Sequence, residues 1–199
     1  MNLTKLTDTF KLSDLNTQKK IFNTLVHNLQ TQRYNFNNVT FIKSRVENCN
    51  LSESMFIEAK FEDAALNNLI ILHGDLSRVI FKNSVFEIYD CRDSNYKNCF
   101  FDNNTFKNCN FRGCDFSEAN LFENNFNNSD LKSSEFYNSI IKNTIFNNCD
   151  LYMAKFIGAY LSNVKFNNCN LFFTDFSDFK FDKLYINDKE ILNINEINK

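Results

Sequence analysis

Seven cysteines, two histidines and 24 acidic side chains are the groups in this sequence that could do chemistry. Cysteines at this density raise three possibilities: a disulfide framework, thiolate ligands for zinc, or a thiol nucleophile with an imidazole base. Their spacing points elsewhere. Cys49, Cys99, Cys109, Cys114, Cys149 and Cys169 are separated by multiples of five residues, and only Cys91 falls outside that count. A metal or catalytic set is gathered by function and has no reason to keep a fixed period, whereas packing residues in a repeated unit must keep one.

Around these cysteines the stretch 109 to 126 repeats a unit of small residue, polar residue, Phe or Leu, then two polar residues. Counted in fives from Phe111, the same register runs without insertion from Phe36 to Phe181, with a large apolar residue at every centre except Cys91. A period of five fits neither the 3.6-residue helix nor the two-residue strand. It requires a chain that turns a corner every five residues. Two positions before most centres stands a small residue, such as Ser44, Ala59, Cys114, Ser134 or Ala159. Centre and small position therefore both point inward, and four sides close a coil of twenty residues. The six in-phase cysteines lie at the small position and Cys91 at a centre, so all seven are expected as small inward packing residues.

This pattern resembles the pentapeptide-repeat family over residues 34–183. The resemblance implies an all-β solenoid, a right-handed quadrilateral β-helix of about 7.5 coils, roughly 36 Å long at the usual strand spacing. Each coil would touch only its neighbours, and bare ends would expose apolar plugs and strand edges, so both ends need caps. Residues 1–33 are read as lacking the period. Leu15, Phe22, Leu25, Val26 and Leu29 have helical spacing behind Ser13 or Asp14, which predicts an amphipathic capping helix over residues 13–31. Residues 184–199 are expected to form a short C-terminal cap, helix or strand, for lidding the last coil or pairing with a second copy.

Between Leu69 and Tyr96 the repeat is irregular. Leu69, Val79 and Tyr89 are large at the small position, Gly74 leaves a gap there, and Cys91 is small at a centre, so a distorted or widened rung is expected. Asn104 and Asn124, twenty residues apart at the small position, are expected to stack as an internal amide ladder.

Sorted by position within the twenty-residue coil, the outward residues give each side its own chemistry. The first side carries a mildly acidic stripe of Glu58, Asp75, Asp115, Glu118, Glu135, Asp175 and Asp178, against Arg78, Lys97 and Lys155. The second offers an apolar column of Ile80, Phe100, Ile140 and Tyr160, interrupted by Asn120 and flanked by Phe122. The third presents an Asn column broken by Ile88. On the fourth, stacked Arg92, Arg112 and Lys132 give way to Tyr152, Met153, Phe172 and Phe173 towards the C-terminal end.

No glycine-rich phosphate loop, metal cluster or nucleophile with a base emerges, and a convex rod offers no pocket to shift its carboxylates. The chain is therefore read as a non-enzymatic scaffold without cofactor, catalytic residue or metal, binding a protein partner through its rod surface. The resemblance adds an alternative, because the family includes Qnr-type proteins that imitate DNA and protect gyrase and topoisomerase IV from quinolones. A type II topoisomerase is then one candidate partner, with the acidic stripe standing in for phosphates. Direct nucleic-acid binding is not expected. The sequence shows no charged leader with an apolar core and no apolar run of eighteen, so secretion and membrane insertion are not expected, and buried free thiols favour the cytoplasm. Finally, a homodimer is expected through the C-terminal end, using Phe172, Phe173, Ile191, Leu192, Ile194 and Ile197.

Overall fold

The computed structural model describes residues 4–5, 19–193 and 196–197. The chain winds as a β-solenoid of about 8 turns in which each residue stacks on the one twenty positions later. Phe106, for instance, pairs in parallel with Phe86 on one side and Phe126 on the other. The second and third sides are continuous parallel ladders of strands such as Phe100–Asp102 and Thr105–Lys107. The first and fourth are turn-rich and held by isolated bridges such as Asp115↔Glu135 and Asn110↔Asp130.

The corner is made by backbone conformation. From Asn23 to Asp178 and on to Lys183, every fifth residue, two after each centre, has φ near +50° to +69°. Asn, Asp and Gly tolerate this left-handed region best and fill most of these positions. The outward Asn column is explained first by this corner; its side-chain bonds, such as Asn68 Nδ2 to Asn48 Oδ1 at 2.9 Å, are additional.

Inside, identical rings stack coil on coil. Phe41, Phe61, Phe81 and Phe101 lie 4.6, 4.9 and 5.1 Å apart in near-parallel pairs. Phe106, Phe126, Phe146 and Phe166 repeat this at 4.5, 4.9 and 5.0 Å. Six cysteines are buried and free, and Cys169 is half-buried and free. The internal amide ladder is present: Asn104 Nδ2 donates to Asn124 Oδ1 at 3.0 Å and to the Phe81 carbonyl at 2.9 Å. Such satisfaction is what lets an amide sit in an apolar column.

The irregular rungs keep the register. Leu69, Val79, Tyr89 and Cys91 are all buried, and the Tyr89 hydroxyl meets that of Tyr96 inside the coil. Tyr89 enters from the small position while Cys91, the next centre, gives up volume. Gly74 is needed for close approach, since a Cβ there would lie 2.5 Å from Ile71 Cγ2.

Two ends differ from the sequence reading. The predicted N-terminal helix is absent where it can be described: Lys20–Phe22 and Thr24–His27 are strands that continue the ladder below Thr40–Ile42 and Arg45–Asn50. The rest of that expectation, residues 13–18, lies outside the described residues. Val26 and Leu29 satisfy both patterns, one as a centre and the other at a small position, so a helical spacing and the five-residue register overlapped there. Existing strand edges above decided the outcome.

At the C-terminal end, Lys180–Ile186 turns through Asn187 (φ 49°) and Asp188 (φ 61°) into Lys189–Ile191, an antiparallel hairpin. Two consecutive positive φ values are the tight-turn geometry that suits the twist of paired strands. Phe179 occupies a small position but is large; its ring lies 5.1 Å from Phe176 and 5.2 Å from Phe181, lidding the core.

Candidate functional site

Three of the seven carboxylates of the acidic stripe are paired with cations of their own side. Glu58 pairs with Arg78 at 2.9 Å, Asp115 with Lys97 at 3.0 Å and Glu135 with Lys155 at 2.9 Å. Each partner stands about one coil away and nearly above or below, because stacked residues are about 4.8 Å apart. Burial pushes the Asp115 carboxyl up, but the Ser117 hydroxyl and amide together with Lys97 overcome it and hold the group below its usual range. Asp175 is held low by the Ser177 hydroxyl and amide. Asp75 accepts from the Ser77 amide and Asn95 Nδ2. Glu118 and Asp178 are exposed at the corners.

The apolar column on the second side is in register, with Phe100 between Ile80 and Asn120, and Ile140 between Asn120 and Tyr160. Phe100 and Phe122 meet edge to face at 5.5 Å. Lys142 lies over this surface, its ammonium 5.9 Å from the Phe122 ring and 5.6 Å from Tyr160. Of the column, Ile140 and Tyr160 are the most open, at 38% and 36% exposure. Among the described residues, no group of three or more His, Cys, Asp or Glu is placed to hold a metal ion.

The C-terminal end differs. Phe172 and Phe173 are each 62% exposed, their rings 4.1 Å apart, with Tyr152 at 6.3 and 5.8 Å and Met153 beside them. Phe173 (φ 59°) and Met153 (φ 57°) occupy left-handed corners, one above the other. Of the other residues expected at this end, Ile191 is buried opposite Leu184 and Ile197 is half-buried against the core. Leu192 is exposed, and Ile194 lies outside the described residues.

The thiols follow burial. Cys109 is pushed up to about 12 by its apolar surroundings, and Cys91 and Cys99 are raised for the same reason. Cys149 and Cys169 each donate to a backbone carbonyl, Cys149 to Phe126 and Cys169 to Phe146, and the interaction between the two stacked groups raises Cys149 and lowers Cys169.

A parallel solenoid with five-residue sides and a left-handed corner on every side defines the class of protein. Family models for pentapeptide repeats match residues 35–68 and 90–121, and one for a pentapeptide repeat region matches residues 119–195. The chain belongs to the pentapeptide-repeat family. No curated protein matches the sequence. Among solved structures it is similar to a trypsin-treated variant of QnrB1, a plasmid-mediated fluoroquinolone resistance protein: 17% identity, 79% of this chain and 89% of that one, TM-score 0.50. It is also similar to HetL, a pentapeptide repeat protein involved in heterocyst differentiation regulation in the cyanobacterium Nostoc: 10% identity, 89% and 95% coverage, TM-score 0.44. These likenesses concern the fold.

Proposed function

We propose that this chain is a non-enzymatic rod that binds a protein partner, with the principal contact at its C-terminal end through Phe172, Phe173, Tyr152 and Met153. The observation that carries this reading is the exposure of Phe173 and Met153 at corners where the backbone favours Asn, Asp or Gly. Neither residue helps the coil to turn, and neither is buried. Exposed aromatic clusters of this kind are the usual anchors of protein interfaces. The seven free thiols suit a reducing compartment such as the cytoplasm.

Imitation of duplex phosphates is the weaker reading. Duplex DNA presents a charge about every 1.7 Å of axis, whereas three carboxylates of the acidic stripe are paired with Arg78, Lys97 and Lys155. The apolar column on the second side is a lesser contact, because Lys142 covers part of it. A second copy of the chain is one partner the C-terminal end admits.

The test is the double variant Phe172→Ser with Phe173→Asn, which leaves the corner geometry intact. Proximity labelling from the C-terminal end should identify a partner with the native chain and lose it with the variant; unchanged labelling would overturn the reading. A supercoiling assay with purified gyrase and a quinolone is expected to show no protection, and protection would restore the DNA-mimic alternative.

A further inference from the structure

Among the described residues, the last coil carries a covering strand on its third side and none on its fourth and first. On the third side the strand Lys189–Ile191 pairs with the rim, and Asn187 Oδ1 accepts from the Asn168 amide at 2.7 Å. Among the described residues the fourth and first sides have no such strand cover. One coil below the rim, the amides of Leu151, Met153, Phe156 and Gly158 donate to the carbonyls of Asn170, Phe172, Asp175 and Ser177, at 2.9, 3.1, 2.7 and 3.0 Å. In return the carbonyls of Cys149 and Ala154 accept from the amides of Asn170 and Asp175. Their equivalents on the rim are the amides of Leu171, Phe173, Phe176 and Asp178 and the carbonyls of Cys169 and Thr174. Among the described residues these six groups have no protein partner.

We infer that this rim, residues 169–178, is a strand-addition site that takes an extended segment of a partner protein as one more rung, with apolar side chains over Leu171 and Phe176. This rests on the proposal above that the C-terminal end is the binding end, and it names the form the partner takes there. The rim presents four donors against two acceptors. A second copy related by a two-fold axis would bring the same excess of donors, so the two rims could not satisfy each other. A segment lying parallel, in the manner of the chain's own coils, supplies four carbonyls and two amides. Main-chain pairing would set register and affinity, and the apolar floor would select alternate side chains. Phe172 and Phe173 flank the site and would clasp the segment from outside. The core beneath is already lidded by Phe179, so the chain can remain folded with the rim empty.

The chain's own sequence supplies the probe. In the rod, residues 129–139 lie over the equivalent positions lower down: the amides of Phe111, Gly113, Phe116 and Glu118 donate to carbonyls of Asp130, Lys132, Glu135 and Tyr137, and the amides of Asp130 and Glu135 donate back. A synthetic peptide of residues 129–139 would be added to the full-length chain and amide hydrogen exchange followed by NMR. The amides of Leu171, Phe173, Phe176 and Asp178 should exchange freely in the chain alone and slow by about tenfold or more with peptide. The same peptide carrying Asp130→Pro and Glu135→Pro, which lacks the two returning donors, should protect them far less.

Unchanged exchange at millimolar peptide would overturn the inference. So would protection of the four amides in the chain alone together with a doubled mass by light scattering, since a second copy would then be the occupant. The Phe172→Ser and Phe173→Asn variant separates this inference from the reading it rests on. Retained partner labelling in that variant sinks the aromatic anchor whatever the peptide does, whereas lost labelling with no peptide protection sinks strand addition alone.

Discussion

Rungs 69–96 and rungs 101–166 share one register and one backbone, yet they fill their interiors by different means. In the later rungs most sides contribute one large and one small plug, as with Phe116 beside Cys114 or Phe156 beside Ala154, with Asn104, Asn124 and Val164 as the exceptions. In the earlier ones Tyr89 fills from the small position, Cys91 yields at the centre, and Gly74 makes room for Ile71. All of these residues remain buried. The coil therefore constrains the volume enclosed per rung and the inward direction of two positions in five, more than it constrains which of the two is large. This is how a close-packed interior behaves when neighbouring positions can compensate.

The sharpest test of that statement is to violate direction. Phe116→Asp would bury an unpaired charge in the regular region and should cost more than about 4 kcal/mol, enough to unfold the rod or prevent its expression. Phe122→Asp, six residues away on the outside and next to Lys142, should shift stability by less than about 1 kcal/mol in denaturant unfolding. Similar losses from both would mean that inward and outward are wrongly assigned. A smaller loss comes from violating volume. Gly74→Ala places a methyl 2.5 Å from Ile71 Cγ2 and 3.3 Å from the Ser54 carbonyl, and should cost about 1–3 kcal/mol. Ala154→Gly, at an equivalent position of the regular region, should cost about 1 kcal/mol or less. Equal effects would show that the irregular rung is no more tightly fitted than the others.

The interior was legible because its signal is repeated: one look at Phe111 and Cys109 predicts Phe136 and Ser134 five units on. The ends were less so. Val26 and Leu29 belong to a helical spacing and to the five-residue register at once, and Phe179 breaks the small-position rule where, among the described residues, no further coil stacks above it. On the surface, positions modulo twenty gave the acidic stripe but not its ion pairs, although Glu58 and Arg78 differ by twenty and could have been paired on that ground. The Asn column was visible, but its main cause, a left-handed corner at every fifth residue, is a backbone property that side-chain sorting does not display. The unbonded rim at 169–178 could not be read at all, since it depends on where the hairpin stops covering the last coil.

The two regions should also differ at high pH. Tyr89, Cys91, Tyr96, Cys99 and Cys109 are clustered and all raised by burial, whereas in rungs 121–166 the raised thiol is Cys149. A raised folded pKa means stability that is whole below the unfolded value, about 8.5 for Cys and 10 for Tyr, and lost as pH climbs towards the folded value. Each such group can remove up to about 1.4 kcal/mol per pH unit above that point. Amides of rungs 81–111 should then lose exchange protection at lower pH than those of rungs 121–141, beginning near pH 9. Simultaneous loss along the rod would show that it unfolds as one unit.

One further expected effect reverses sign between the regions. Ile88 holds a left-handed corner with φ at 54° while its side chain is 55% exposed, so it bears the strain of a β-branched residue there with little burial in return. It also stands between Asn68 and Asn108 in a column where Asn148 donates to Asn128 at 3.3 Å and Asn68 to Asn48 at 2.9 Å. Ile88→Asn should therefore stabilise the chain by about 1 kcal/mol, through relief of the corner with a fraction added by restored amide contacts. Asn108→Ile, one coil on, should destabilise by a similar amount. Both are read as shifts of the denaturant midpoint at unchanged slope. If Ile88→Asn were neutral or destabilising while Asn108→Ile carried its full cost, Ile88 would have to be making an apolar contact worth as much as the corner strain, which would mark the irregular rung as a second contact surface.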